Sequence, residues 1–394
     1  MTASLGLTSH VERSLLARNA LFEHFFEREA RTLAEACREM SERFLRGGRL
    51  LAFGQGPYAT DAQHVSVEFV HPVIVGKRAL PALDLSMLFR PWVAALVRPD
   101  DIVMGFGPPG GDAAVSGSLE HARSRGAMTF ALPGRDASYA MTVATTDPFV
   151  HQELMEILYH TLWETVHVFF EHRELGHDVG DAEFLYPFLG REKQDATGLV
   201  DEVAQSIQMK VADDAALRTR VASEETEHIA DAALAIAERI SAGEKLIVFG
   251  NGGSATDAND LAIDCIAPPL GWRSVPAVSL ALEPANITAI ANDVGTDVIF
   301  LRQLIAQASP GDVAFVISTS GGSRNLVAPL EEARKRGLLT VALLGYDGGE
   351  IGRRALADHA IIVRSDYIPR IQEVQASIYH TIRESIEGVL RGDS

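Results

Sequence analysis

The chain has few cysteines, a shortage of positive charge and no long apolar run. Cys37 and Cys265 are the only cysteines among 394 residues, and we expect both to be free thiols in a reducing compartment. Lys and Arg number 35 against 53 Asp and Glu, and the formal charge of −18 argues against a nucleic-acid-binding protein. No apolar run approaches the roughly 20 residues that cross a bilayer, and the first residues lack the order of a secretory signal. We therefore expect a cytoplasmic protein that binds neither nucleic acid nor membrane.

An internal duplication organises the sequence. The segment LAFGQGPYATDAQH, which begins at Leu51, returns as IVFGNGGSATDAND from Ile247. Further along, QELMEILYHT from Gln152 returns as QEVQASIYHT from Gln372. A repeat this long indicates two copies of one domain and not a solenoid of short period. The predicted division is copy one at residues 1–171, a linker at 172–194 and copy two at 195–394.

Short apolar strands alternate with helical stretches in both copies. The predicted strands are Leu50–Phe53, Leu83–Leu85, Ile102–Met104 and Met128–Leu132 in copy one, and Leu246–Phe249, Val278–Leu280, Val313–Ile317, Leu339–Leu344 and His359–Val363 in copy two. Each copy is predicted to end in a helix, at His151–Glu171 and at Arg370–Leu390. Apolar strands between helices predict one parallel sheet per copy, covered on both faces. The fold class is therefore doubly wound α/β, of the flavodoxin-like type.

Two glycine-rich turns of copy two have the character of an anion site. Gly250–Ser254 and Ser318–Ser323 each follow a predicted strand and open a predicted helix. Backbone N–H groups at such a helix start bind anions, and turns after neighbouring parallel strands bound one crevice. The alternative is a Ser/Gly-rich turn with an ordinary helix cap. The hydroxyls that could converge on a phosphate belong to Ser318, Thr319, Ser320 and Ser323.

These motifs resemble the sugar isomerase (SIS) family, and within it the phosphoheptose isomerase branch. The resemblance rests on FGNGGSATDA from Phe249, IANDVG from Ile290, ISTSGGS from Ile317 and RIQE from Arg370. It implies two tandem SIS domains and an aldose–ketose isomerisation, through an enediol, between sedoheptulose 7-phosphate and a heptose 7-phosphate. It also implies a homo-oligomer, here a dimer that forms a pseudo-tetramer of SIS domains.

The family binds a divalent metal, usually zinc, through two pairs of residues. The resemblance places the pairs on His64 with Glu68 and on Gln152 with His160, and makes Glu68 and His160 the acid–base groups. Spacings of four and eight residues put each pair on one helix face, so that both pairs can point into one pocket. Two histidines and a glutamate suit zinc. The alternative is that these are polar positions on packed helices and a solvated charge.

The second copy keeps only part of this set. Its corresponding residues are Asp260, Asp264, Gln372 and His380, so one histidine is lost and the carboxylate is one methylene shorter. We expect no family-type metal site there. Copy one in turn has GPPGGD, ending at Asp112, where copy two has STSGGS. Prolines lack N–H groups and the carboxylate would repel an anion, so copy one should bind phosphate poorly.

The two copies thus carry complementary chemistry, which predicts a composite pocket. The resemblance implies that the phosphate lies on the Ser318–Ser323 turn. It also implies that the rest of the sugar contacts Asn251, Gly252, Ser254 and Asp293. Departures from the family pattern, at Pro72 and Phe149 among others, leave the length of the sugar open.

Two other functions remain open. One is a sugar-phosphate sensor or accessory subunit without catalysis, since divided motifs are what such a change of role would leave. The other is an isomerase of aminosugars, which also pairs two SIS copies. The presence of Glu68 and His160 argues against the aminosugar reaction, because those enzymes lack this metal set.

Overall fold

The computed structural model describes residues 2–72, 77–174 and 196–392. It divides into two compact units: Ala20–Ala215, here the copy-one unit, and Met1–Asn19 with Ala216–Ser394, here the copy-two unit. Of the predicted linker at 172–194, residues 175–194 lie outside the described part of the chain.

The copy-one unit contains a five-stranded parallel sheet in the order β2-β1-β3-β4-β5. Its strands are β1 Leu50–Gly54, β2 Ala82–Asp84, β3 Ile102–Phe106, β4 Met128–Leu132 and β5 Tyr139–Ala140. Its helices are α2 Ala59–Val70, α3 Phe89–Leu96, α4 Ala113–Ser124 and α5 Pro148–Glu174, and it takes the larger part of α1 Thr2–Leu45. The strands β1, β3 and β4 are buried along their whole length, as apolar runs covered on both faces should be.

The copy-two unit repeats this arrangement, with the strand order β10-β9-β8-β6-β7. Its strands are β6 Leu246–Phe249, β7 Ala277–Ser279, β8 Val313–Ser318, β9 Leu339–Gly345 and β10 His359–Val363. The helices that follow in the chain are α6 Ala196–Glu224, α7 Thr226–Ser241, α8 Gly253–Ile266, α9 Pro284–Asp293, α10 Ile299–Gln307, α11 Arg324–Lys335, α12 Gly349–Arg353 and α13 Ile368–Arg391.

The compact units do not share the boundaries of the sequence repeat. The first residues of α1, including Leu7 and Val11, pack into the core of the copy-two unit. The first half of α6, including Val203 and Ile207, packs into the core of the copy-one unit. Apolar residues at helical spacing continue across both boundaries, so the sequence pattern does not mark where one core ends and the next begins.

The predicted doubly wound fold is confirmed for both copies. In each sheet the chain moves from its first strand to a neighbour on one side and then returns to the other side, which makes β1 with β3, and β6 with β8, the points where the strand order reverses. Loops that leave these strands diverge and form a crevice at the carboxyl ends. In copy two, the loops at that crevice are the two glycine-rich turns.

Both cysteines are free and buried, as the sequence predicts. Burial raises the pKa of both thiols, so neither forms a thiolate readily at neutral pH. Within the described ranges, no helix combines the length and the apolar character needed to cross a membrane.

Candidate active site

Two helices of the copy-one unit bring His64, Glu68 and His160 together. His64 and Glu68 lie one turn apart on α2, and His160 lies on α5. Each residue offers one ligand atom, and these atoms all lie within 4.8 Å of one another. His64 Nε2 is 3.8 Å from Glu68 Oε1, and the imidazole centres of His64 and His160 are 5.2 Å apart. All three side chains are at least 98% buried.

This group fits a zinc ion. Two imidazoles and a carboxylate are ligands that zinc takes, and atoms bound about 2 Å from one zinc ion lie within about 4 Å of each other. The observed separations need only a small contraction to meet that limit. Gln152 lies two turns before His160 on α5 and is also buried, so it remains the candidate fourth ligand.

Sequence reasoning missed His151, the residue before Gln152. Its side chain is buried at the start of α5, with its ring centre 6.1 Å from that of Tyr58 in the first glycine turn of copy one. Burial lowers the pKa of His151 to about 4, so the imidazole is neutral at physiological pH. The signal was present in the repeat, because the equivalent residue of copy two is the apolar Ile371.

The equivalent positions of copy two also converge, but their side chains bond to one another. His380 Nε2 lies 3.1 Å from Asp264 Oδ2 and 3.3 Å from Asp260 Oδ2. The hydroxyl of Tyr379 donates to Asp260 Oδ2 at 2.9 Å. Burial first, and the Asp260 carboxylate second, raise the pKa of Asp264 to about 7. Both carboxylates of copy two approach His380 directly, an arrangement that sequence reasoning did not foresee.

The Ser318–Ser323 turn is held tightly at the carboxyl end of β8. The backbone N–H of Gly321 donates to Ser318 Oγ at 3.0 Å, and Gln375 donates to the Ser318 carbonyl at 3.4 Å. Gly321 has φ of +59°, and a Cβ there would lie 2.2 Å from the Gly348 carbonyl oxygen. Only glycine fits that position, so the close approach of this turn to the Gly348 backbone depends on Gly321. Ser318 is buried, Thr319 and Ser323 are half-buried, and Ser320 is exposed.

The helix that follows this turn is capped differently in the two copies. In copy one, Asp112 caps α4, and its Oδ1 accepts from the backbone N–H groups of Ala114 at 2.8 Å and Val115 at 2.9 Å. In copy two, Ser323 holds the cap position of α11 without a side-chain cap hydrogen bond. A carboxylate of the protein therefore occupies the helix start of copy one, where an anion would bind. This is a physical reason to expect phosphate in copy two.

A pair of amides joins the two glycine-rich turns of copy two. Asn251 Nδ2 donates to Asn325 Oδ1 at 3.0 Å, and Asn325 Nδ2 donates to Asn251 Oδ1 at 2.8 Å. Ser254 is buried at the start of α8, and Gly252 is exposed. Asp293 is exposed at the end of α9, where it accepts a hydrogen bond from Asn292. Asn251 thus lies at the crevice, whereas Asp293 lies at a helix end.

A cavity of about 880 Å³ adjoins the turn. Ser320 and Gly322 line it on one side, residues that follow β9 and β10 line most of the rest, including Arg353 and Arg364, and Arg220 of α6 completes the lining. Sequence reasoning missed this cavity, because most of its lining comes from segments outside the motif that contains Ser320 and Gly322.

Comparison with known proteins agrees with the architecture. A model of the SIS domain matches residues 211–345. A phosphoheptose isomerase of Pelobacter propionicus is 44% identical over 163 residues, which are 41% of this chain and 85% of that protein. The chain belongs to the SIS-domain family. It is a tandem SIS protein that resembles phosphoheptose isomerases.

Solved structures with the same fold span almost the whole tandem SIS protein. The C-terminal domain of glucosamine-fructose-6-phosphate aminotransferase from Francisella tularensis has a TM-score of 0.64 and 9% identity, and covers 97% of this chain and 96% of that one. The tagatose-6-phosphate ketose/aldose isomerase of Escherichia coli has a TM-score of 0.58 and 13% identity, and covers 97% of this chain and 93% of that one. At such identities these likenesses show the fold alone.

Proposed function

We propose that this tandem SIS protein is an aldose–ketose isomerase that converts sedoheptulose 7-phosphate to a heptose 7-phosphate. The observation that carries the proposal is the buried group of His64, Glu68 and His160. The reaction needs acid–base groups and gains from a divalent metal, and the proposal assigns Glu68 and His160 to both sets. The similarity to phosphoheptose isomerases supports the choice of substrate.

The roles of the copy-one residues follow from their chemistry. The Glu68 carboxylate removes the proton from the carbon beside the carbonyl, which gives an enediol, and returns a proton to the neighbouring carbon. The imidazole of His160 moves the proton between the two sugar oxygens. His64, Glu68, Gln152 and His160 would hold the divalent metal, which the resemblance implies is zinc, and the metal would polarise the carbonyl oxygen.

The proposed role of copy two is to hold the phosphate. The Ser318–Ser323 turn offers hydroxyls and N–H groups at a helix start that has no side-chain cap. Asn251 and Ser254, at the first turn, are the proposed contacts of the sugar hydroxyls, together with Gly252 and Asp293. The proposal includes a cytoplasmic location, expected from the sequence composition, and a homodimer, expected from the resemblance.

A sensor or accessory role is the second candidate. It is favoured by the division of motifs, since neither copy keeps both the histidine–glutamate pair and an uncapped hydroxyl-rich turn. Such a protein would bind the sugar phosphate without turning it over.

Assays on ketose phosphates with five, six and seven carbons separate these functions. We expect the highest kcat/KM for the seven-carbon substrate. Proton NMR measures the conversion of each ketose phosphate to its aldose. Conversion of a shorter ketose alone would keep the reaction and change the substrate. Binding of all three without any turnover would contradict the isomerase and leave the sensor role.

Substitutions in the Ser318–Ser323 turn of copy two and in the equivalent turn of copy one should differ in their effect on the affinity for the sugar phosphate. Ser320→Asp should weaken binding of sedoheptulose 7-phosphate by more than about tenfold, because a like charge beside an anion costs several kcal/mol. Asp112→Ser is the matched control in copy one and should leave the affinity unchanged. Calorimetric titration measures both, and the reverse order of effects would place the phosphate in copy one.

A further inference from the structure

The cavity beside the Ser318–Ser323 turn is separate from the crevice that the proposed reaction uses. The strand order places β9 and β10 on one side of β8 and β6 on the other. The loops that follow β9 and β10 line most of the cavity, whereas the first glycine-rich turn, which follows β6, contributes no residue to its lining. The volume of about 880 Å³ lies in the range of small-molecule sites, roughly 300–1,000 Å³. All the lining residues belong to the copy-two unit.

Three arginines from separate elements meet at this cavity. Arg220 lies on α6, Arg353 ends α12 and Arg364 follows β10. The buried Glu225 carboxylate holds the Arg364 guanidinium at 2.7 Å, and Arg220 donates to the Arg364 carbonyl oxygen but forms no ion pair with any described residue. Arg353 lies 3.4 Å from the Asp347 carboxylate, and this exposed contact contributes little. Each guanidinium has five N–H groups, so all three keep donors for phosphate oxygens.

Carboxylates share the lining with these arginines, which argues against a simple inorganic anion as the ligand. Asp347, Glu350 and Asp366 all line the cavity. Glu350 pairs with Arg354 at 2.7 Å, and Asp347 accepts from the backbone N–H of Gly349 at 2.9 Å. Carboxylate oxygens also accept hydrogen bonds from hydroxyls, as an acidic residue does from the ribose in dinucleotide-binding folds. Arginines beside carboxylates therefore fit a ligand that carries both a phosphate and a diol.

Tyr346 adds an aromatic ring to the lining, on a strained backbone. Its φ of +50° lies in the left-handed region, which is uncommon for a bulky residue. The side chain is half-buried and packs against the core of the copy-two unit, which restricts the position of the ring. Strain of this kind is concentrated at functional sites, and an aromatic ring is a stacking surface for a nucleobase.

We propose that this cavity binds a nucleotide, with its phosphates on the arginines, its ribose hydroxyls on the carboxylates and its base on Tyr346. A sugar phosphate has the same phosphate and diol chemistry, but it would make no use of the aromatic ring. The inference does not depend on the proposed reaction.

Calorimetric titration of the full chain with ADP, in buffer without magnesium, tests the site. Arg220→Ala and Arg353→Ala should each weaken ADP binding by about tenfold or more, which is the effect of losing a charged hydrogen bond. Tyr346→Asn should weaken it by about fivefold or more through the lost stacking, and asparagine tolerates the left-handed backbone. Arg302→Ala removes an exposed arginine of α10 outside the cavity, so it is the matched control and should leave the ADP affinity unchanged.

Related compounds identify the part of the ligand that each group recognises. AMP should bind at least about fivefold more tightly than ribose 5-phosphate, which lacks the base. ADP should bind at least about tenfold more tightly than its 2′,3′-dideoxy analogue, because hydroxyls donate to the carboxylates.

Three results would overturn the proposal. The first is the absence of ADP binding at millimolar concentration. The second is an unchanged ADP affinity in both arginine variants, since the nucleotide would then lie elsewhere. The third is equal affinity for AMP and ribose 5-phosphate, since the cavity would then be a sugar-phosphate site. Both arginines are exposed, and thermal unfolding checks that the variants fold like the wild type.

Discussion

Glu68→Gln should lower kcat for the proposed isomerisation by about 10²–10⁴-fold, the range that a general acid–base group contributes. The amide keeps the shape of the side chain but cannot accept the proton from the carbon, so KM should change much less than kcat. Steady-state kinetics with sedoheptulose 7-phosphate measure both. The Glu68 side chain is fully buried beside His64 and His160, so we expect that water cannot replace its carboxylate as the base.

Asp264→Asn is the matched variant, because Asp264 occupies the equivalent position in copy two. Its effect on kcat should be milder than that of Glu68→Gln. A larger loss with Asp264→Asn would assign the proton transfer to Asp264 and His380, and the roles of the two copies would be exchanged.

His64→Ala should remove one equivalent of zinc per chain from protein that has been loaded with zinc and freed of excess by gel filtration. The substitution takes one of two imidazoles from a buried set whose ligand atoms lie within 4.8 Å, and the remaining carboxylate and imidazole cannot complete a site. Elemental analysis measures the zinc content. Activity should fall with it.

An exposed histidine provides the control for this experiment. His121 lies on the surface of α4, and His121→Ala should leave the zinc content at the wild-type value. Equal zinc content in wild type and His64→Ala would show that His64 is not a ligand and would remove the copy-one metal site from the proposal.

The fold was predictable because its signals are local and occur twice. Apolar runs of a few residues, glycine-rich turns and helical spacing each depend only on residues that are close in the sequence. Because the chain is duplicated, the same order of elements is predicted independently from each copy. The predicted strands Met128–Leu132 and His359–Val363 agree with the structure residue for residue. Strand β5, Tyr139–Ala140, was missed because two residues show no period.

The candidate site was predictable only where family resemblance supplied the long-range pairing. The spacing of His64 and Glu68 places them on one face of α2, but nothing local indicates that α5 brings His160 to them. The site features that the sequence did not predict also depend on contacts between separate segments or on backbone conformation. The Asp112 cap on α4 depends on the backbone of a turn, and the approach of Asp260 and Asp264 to His380 depends on how closely α8 and α13 pack.

The central claim is tested most directly by solvent exchange during turnover. Zinc-loaded protein is incubated with sedoheptulose 7-phosphate in D₂O, and the products are followed by NMR. Proton transfer by Glu68 through an enediol predicts an aldoheptose phosphate that carries deuterium at carbon 2. Formation of the aldose by Glu68→Gln at the wild-type rate in the same experiment would contradict the acid–base mechanism, and neither aldose nor deuterium, with binding retained, would contradict the isomerase itself.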